Sequence, residues 1–183
     1  ENGLSFADVH IPYYAFNNDE DIIKISACTY NLDDAGNILT SAVKKNAIYR
    51  KKINKYYDEI SVGIDFTARD LQEKLKNKGL PWEKAKAFDG SAVIGEFLPK
   101  NQFSSLENIT FELKNNNTTV QKSNSSFMLW KIDELISYVS QFFTLKIGDI
   151  IFTGTPEGVA AVKPNDVLEG YLEGQKLFRI QVK

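Results

Sequence analysis

The sequence predicts a mainly β fold with a few short helices, an α+β arrangement rather than a doubly wound α/β sheet. Three observations carry this. Short segments rich in β-branched and aromatic residues outnumber the helical stretches. They do not alternate regularly with helices, as βαβ units would. Asn116-Asn117 and Glu173-Gly174 fall between neighbouring apolar segments, where a tight hairpin turn needs left-handed backbone.

In chain order, Ile22–Cys28 is the first expected strand, entered from the acidic run Asp19-Glu20-Asp21. Tyr49, Ile53, Tyr56 and Ile60 then recur at helical spacing behind Arg50, Lys51, Lys52 and Lys55, which predicts a helix with a solvated basic face. Ser61–Phe66 reads as a strand. Thr67-Ala68-Arg69-Asp70 has the form of a capping box, opening a helix that Gly79 and Pro81 end. Ala92–Leu98 is expected as one strand. Ile109, Phe111 and Leu113 share one face before the Asn116-Asn117 turn, and Thr118–Gln121 returns. Ile132, Leu135, Ile136, Val139, Phe142 and Phe143 form the apolar stripe of an amphipathic helix. Asp149–Thr153, Val167–Leu172 and Leu177–Val182 complete the strands, the last two joined as a terminal hairpin.

Composition narrows the function. The 183 residues carry 22 Lys+Arg against 24 Asp+Glu, a net charge of −2, which excludes the basic footprint of a nucleic-acid binder. No apolar run is long enough to span a bilayer, and ENGLSFADVHIPYY has neither the basic flank nor the apolar stretch of a signal peptide. Cys28 is alone, so no internal disulfide forms and a reducing, cytoplasmic location is expected. The Asn-x-Ser/Thr sequons at Asn108, Asn116, Asn117 and Asn124 read as compositional accidents. His10 is the one histidine, so chemistry is expected to run on carboxylates, Lys, Arg and backbone groups.

Four places offer such chemistry. Asp65 ends an apolar strand just before a helix start, where backbone N–H groups and the positive dipole end collect, although Asp65 also suits a turn and Asp70 a cap. Asp19 and Asp21 lie two apart on an entering strand, so they share a face; joined by Asp65 they would form an oxygen-only site for a hard cation such as Mg²⁺ or Mn²⁺. In water the same acidic run is a plain loop tip. Lys86, between small and aromatic residues, is placed to stabilise developing negative charge or, more simply, to snorkel. Thr153-Gly154-Thr155-Pro156-Glu157-Gly158 follows an apolar strand as a Gly-containing turn, without the Gly-Lys-Ser/Thr ending of a P-loop.

Taken together, GIDFTARDLQ (63–72), KGLPWEKAKAFDGSAVIGEF (78–97), LKIGDIIFTGTPEGV (145–159) and LEGYLEG (168–174) resemble the fumarylacetoacetate hydrolase family. The likeness is strongest to its small single-domain acylpyruvate hydrolases and oxaloacetate decarboxylases, and runs from about Ser61 to the C-terminus. It implies a mixed β-sandwich roll, one catalytic domain over residues 1–183, and a homodimer. It also implies Mg²⁺ or Mn²⁺ on three carboxylates, chelating a 2-oxo or β-diketo acid. Residue by residue, Asp65 matches a metal ligand, Lys86 the catalytic lysine, Arg69 and Gln72 polar groups near substrate, and Gly154-Thr155 the turn that holds the substrate carboxylate.

The chain departs from that pattern in places. The family's Glu-x-Glu metal pair corresponds by position to Asp19-Glu20-Asp21, whose aspartates withdraw each carboxylate by about 1.5 Å, and Asn17 stands where a His is usual. The family's N-terminal segment, source of a His/Glu pair that activates water, is expected to be lacking, and His10 is in the wrong context to replace it. Val159-Ala160 replaces the usual Val-Gly. The resemblance therefore implies metal-assisted C–C cleavage or isomerisation through an enolate, with decarboxylase-like or isomerase-like chemistry ahead of hydrolysis. The alternative is a degenerate member that keeps the fold and dimer as a binding or structural subunit.

Overall fold

The computed structural model describes residues 7–10, 12–15 and 50–183, with side chains described from Ile53 onward. The expected strand Ile22–Cys28 and the candidate ligands Asp19 and Asp21 lie outside the described residues. The fold is mainly β, as the segment pattern predicts, and every strand pairing among the described residues is antiparallel.

Strand β1 (Ala7–His10) pairs with β4 (Gly63–Phe66), His10 opposite Gly63, and β2 (Pro12–Ala15) pairs with β3 (Tyr57–Ile60), Tyr13 opposite Ile60, with a register shift between Tyr14 and Ala15. One sheet has the order β1-β4-β5, with β5 at Ala92–Ile94. A second runs β6-β3-β2-β9, with β6 at Leu98–Pro99 and β9 at Ile150–Phe152. The third is built from two hairpins, β7 (Thr110–Asn115) with β8 (Thr118–Asn124) and β10 (Val167–Leu172) with β11 (Gln175–Gln181), in the order β11-β10-β7-β8. Both hairpins turn where the sequence places them. Asn116 and Asn117 (φ 50° and 66°) and Glu173 and Gly174 (φ 48° and 80°) adopt the paired positive φ of a tight primed turn.

Alternation along Ile60–Phe66 puts Ile60, Val62 and Ile64 on one fully buried face. They join Phe111, Leu113, Leu168, Leu172, Ile132 and Ile136 in a single core. Each buried aliphatic side chain contributes about 1.5–3 kcal/mol. Ser61, Gly63 and Asp65 take the opposite face.

Among the described residues three α-helices accompany the sheets. Helix α1 (Arg69–Asn77) follows β4 directly, and its C-terminus closes as expected: the Gly79 and Leu80 N–H groups donate to the Lys76 and Leu75 carbonyls. Helix α2 is the short Glu83–Lys86, and α3 is Ile132–Val139, where the Glu134 carboxylate accepts the Lys131 N–H at 3.1 Å. Among the described residues no helix is long and apolar enough to cross a membrane.

Four local expectations are corrected. The helical spacing of Tyr49, Ile53, Tyr56 and Ile60 does not yield an α-helix; Arg50–Lys55 is a 3-10 helix and Tyr57–Ile60 is strand β3. Sheet pairing outweighs the periodicity here, because β3 is held between β2 and β6 while Tyr57 is buried with its hydroxyl 2.7 Å from Asp133 Oδ1. The Lys100 ammonium donates to the Asn54 and Tyr57 carbonyls where the 3-10 turn passes into β3. The stripe through Phe142 and Phe143 outlasts its helix, since Phe142 and Phe143 N–H groups both turn back onto the Val139 carbonyl and their rings are exposed. Ala92–Leu98 is split into β5 and β6. A Cβ on Gly95 would lie 2.9 Å from Leu177 Cβ, so the chain leaves the ladder to pass close to β11. Finally, α1 has no side-chain cap: the Thr67 hydroxyl serves another partner, and Asp70 instead pairs with Lys74 along the helix surface at 3.8 Å.

Candidate active site

Asp65 is the third residue of β4, one position past the fully buried Ile64 and therefore on the face away from the core. Its register neighbours are Asp8 of β1 and Ala92 of β5. The chain then turns into α1, and this turn is tied to α2 by the Ala68 N–H donating to the Ala85 carbonyl at 3.0 Å. Ala85 is fully buried and anchors α2, so the next residue, Lys86, is delivered to the strand end. Lys86 Nζ lies 2.7 Å from Asp65 Oδ2 and 2.6 Å from Thr67 Oγ1. Thr67 is itself buried, and its hydroxyl, oriented by Lys86, points at the Asp65 carbonyl 3.4 Å away. The structure thus brings Asp65 and Lys86 together, as the resemblance implies, and adds Thr67, which the capping-box pattern had assigned to the helix.

Arg69 and Gln72 sit one turn apart on α1. Arg69 Nη1 donates to Gln72 Oε1 at 3.0 Å, a pairing at i and i+3 that holds both half-buried side chains on one side of the helix.

The Thr153–Gly158 turn follows β9, which lies on the edge of β2 opposite β3, with Phe152 opposite Pro12. The turn is held from beneath by Gln121 of β8. Its Nε2 donates to Thr155 Oγ1 at 3.0 Å, Pro156 O at 3.1 Å and Glu157 O at 3.3 Å, from a side chain only 2% exposed. Gly158 has φ 97°, and a Cβ there would run into the Val120 carbonyl, so this glycine lets the turn seat on β8. Gln121 carries no mark in the sequence. Leu113 faces Gln121 while Lys114 faces Thr119, leaving Val120 as an extra bulged residue, and that bulge moves Gln121 onto the inner face.

Among the described side chains no three His, Cys, Asp or Glu groups converge to hold a metal. The Asp65 carboxylate, with one oxygen on Lys86, has the donor chemistry that a hard divalent cation prefers.

Fold and site define a mainly antiparallel β domain with a carboxylate–lysine pair at a strand-to-helix junction. Residues 43–183 match the family described as "Fumarylacetoacetate (FAA) hydrolase C-terminal", and the chain belongs to that family. It is 42% identical over 120 residues to the mitochondrial oxaloacetate tautomerase FAHD1 of Mus musculus, covering 66% of this chain and 54% of that protein. It is 43% identical over 129 residues to oxaloacetate tautomerase YcgM of Escherichia coli (strain K12), covering 70% and 57%. The chain therefore spans little more than half the length of these curated relatives. Among solved structures it resembles fumarylpyruvate hydrolase from Pseudomonas aeruginosa in complex with Mn²⁺ and pyruvate, with TM-score 0.76 and 28% identity over all of this chain and 67% of that one.

Proposed function

We propose that this chain acts on a short 2-oxo acid, oxaloacetate being the first candidate, by stabilising the enolate through which tautomerisation, decarboxylation or C–C cleavage proceeds. The observation that carries this is Lys86 Nζ held between Asp65 and Thr67. The names of the relatives support it: two are oxaloacetate tautomerases, and a structural neighbour binds Mn²⁺ and pyruvate.

Keto–enol conversion moves one proton from the carbon beside the carbonyl to the carbonyl oxygen, and no other atom is gained or lost. Negative charge develops on that oxygen. Lys86 supplies a fixed cation for it, already oriented by two hydrogen bonds, so little reorganisation accompanies the reaction. The Thr155 hydroxyl and the Gly154 backbone, braced by Gln121, receive the substrate carboxylate, while Arg69 and Gln72 line the approach. A divalent ion, Mg²⁺ or Mn²⁺, held with Asp65, would act as a Lewis acid on the 2-oxo oxygen. Hydrolysis ranks behind tautomerisation because it needs an activated water in addition.

The protein is proposed to work as a homodimer. Phe127, Leu129, Trp130, Phe142, Phe143 and Ile147 are all more than half exposed, an apolar surface that a second copy would cover. Sedimentation would report this directly, a monomer at micromolar concentration being the adverse result.

The enzymatic reading is tested by following oxaloacetate enol absorbance with Mg²⁺ or Mn²⁺ present. Acceleration over a metal-only control is expected, and its abolition by EDTA. No acceleration of oxaloacetate or of acylpyruvates would instead favour the degenerate, binding-only subunit.

A further inference from the structure

Gln121 is a buried polar side chain at a position where packing alone would favour an apolar one. It is opposite Leu113 in the β7–β8 ladder, on the core-facing side, and only 2% exposed. Burying an amide there costs free energy that its hydrogen bonds must offset, and Leu or Met would fill the same volume. The amide differs from them in having a donor end and an acceptor end.

The Pro156 and Glu157 carbonyl oxygens lie 3.1 and 3.3 Å from Gln121 Nε2, and a carbonyl oxygen can only accept. These two contacts fix which end of the amide meets the turn: it is the NH2 group. An amide nitrogen does not accept, so the 3.0 Å contact with Thr155 Oγ1 has one polarity, Gln121 donating and Thr155 accepting. A hydroxyl carries a single hydrogen and rotates to suit its partners. With an Oγ1 lone pair engaged by Gln121, that hydrogen is directed away from Gln121, and Thr155 is exposed. The turn therefore presents a donor outward. A donor of this kind bonds a carboxylate about twice as strongly as a neutral acceptor.

We propose that Gln121 is a positioning residue that commits the Thr155 hydroxyl to donating, and that this polarity makes the turn select an anionic carboxylate over a neutral amide at the same end of the ligand. The inference rests on the reading above that this turn receives the substrate carboxylate. It goes further in assigning the discrimination to a side chain buried beneath the turn. Without the Gln121 amide nothing in this set of contacts holds the hydroxyl in that sense, and Thr155 is as able to offer a lone pair as a proton.

The protein, with Mn²⁺ present, is titrated by calorimetry with pyruvate and with pyruvamide, its neutral isostere. Thr155→Val should weaken pyruvate about tenfold, the scale of one hydrogen bond to a charged group. Gln121→Leu and Gln121→Met should weaken pyruvate about fivefold and pyruvamide by less than about twofold, since a neutral acceptor gains less from the committed donor. Adding Gln121→Leu to Thr155→Val should cost no further pyruvate affinity, because Gln121 acts through the hydroxyl that is already gone. A parallel loss of both ligands in the Gln121 variants, or losses that multiply in the double variant, would overturn the inference and leave Gln121 a brace; the carboxylate reading then stands on the Thr155→Val loss. Unchanged pyruvate affinity in Thr155→Val overturns both. Absence of saturable pyruvate binding by the unmodified protein overturns the 2-oxo acid reading and this inference with it. The comparison of the two ligands in Thr155→Val needs no change at Gln121, and an equal loss for both overturns the selectivity even where no Gln121 variant folds.

Discussion

Replacing Lys86 by Met removes a charge while keeping an unbranched apolar stem, and it separates two effects of that lysine. Lys86 Nζ lies 2.7 Å from Asp65 Oδ2, with the two side chains 30% and 24% exposed, so the pair is neither fully solvated nor buried. Solvated pairs contribute about 0.2–1 kcal/mol, and hydrogen bonds to charged groups about 1.5–3 kcal/mol. Solvent screening at this exposure places the contact near the lower range, at about 1 kcal/mol. A divalent ion that takes Asp65 as ligand competes with Lys86 for it. Losing the competitor should tighten Mn²⁺ binding about fivefold, because 1.4 kcal/mol is tenfold. Turnover should move the other way, falling about 10²–10³-fold, the usual loss when one preorganised electrostatic group is removed from an enolate-forming site. Calorimetry and the oxaloacetate enol assay, run on one preparation with the unfolding midpoint as a check on folding, read both quantities. Weaker Mn²⁺ binding with an unchanged midpoint would refute the competition argument. Unchanged turnover would take Lys86 out of the chemistry.

Gln121→Leu keeps the volume beneath the Thr153–Gly158 turn but removes its three hydrogen bonds; the exposed acceptors can rehydrate, so a cost of about 1–2 kcal/mol is expected, or roughly 2–8 °C in the unfolding midpoint, with a rise in KM larger than the fall in kcat. An unchanged KM would show that the turn does not position substrate. Tyr57→Phe should destabilise by about 1–2 kcal/mol through loss of the hydrogen bond to Asp133. In the unmodified protein burial and the Asp133 carboxylate hold the Tyr57 phenol far above its ordinary range, so its ionisation in an alkaline spectrophotometric titration should coincide with unfolding rather than precede it. Lowering pH should also destabilise the fold through the terminal hairpin. The Lys163 backbone N–H, Asn115 and Asn116 hold the Asp166 carboxyl below its ordinary value, and Lys176 and Tyr171 do the same for Glu169. The unfolded chain therefore binds these protons first, and the stability they supply above the ordinary carboxylate range is lost as pH falls through the lowered values. Asp166→Asn and Glu169→Gln should flatten the acid limb of a midpoint-against-pH curve; an unaltered limb would contradict the linkage.

Elements whose determinants are local were legible without coordinates. The Asn116-Asn117 and Glu173-Gly174 turns, the Val167–Leu172 strand and the Gly79 stop depend on backbone preferences of a few adjacent residues. Lys86 and Asp65 were reached through the likeness of whole motifs, since neither stands out from its neighbours. Where local and distant preferences disagreed, the distant ones prevailed. Ile60 keeps helical spacing with Ile53 yet belongs to a strand, because pairing with both β2 and β6 satisfies more backbone groups than one more helical turn would. Thr67 has the pattern of a cap yet turns to Lys86, a charged donor 19 residues away that forms the stronger hydrogen bond.

The sequence by itself determined the β-rich class and the hairpin turns, because these follow from side-chain alternation and turn preference. Only the tertiary structure decided which residues meet. The Asp65–Lys86 contact spans 21 positions, Gln121 reaches Thr155 across 34, and strand β1 finds β4 through a register that no local pattern specifies. Each of these depends on the lateral alignment of separate strands, which the shared burial of Ile64 and its neighbours fixes and which no stretch of chain encodes alone.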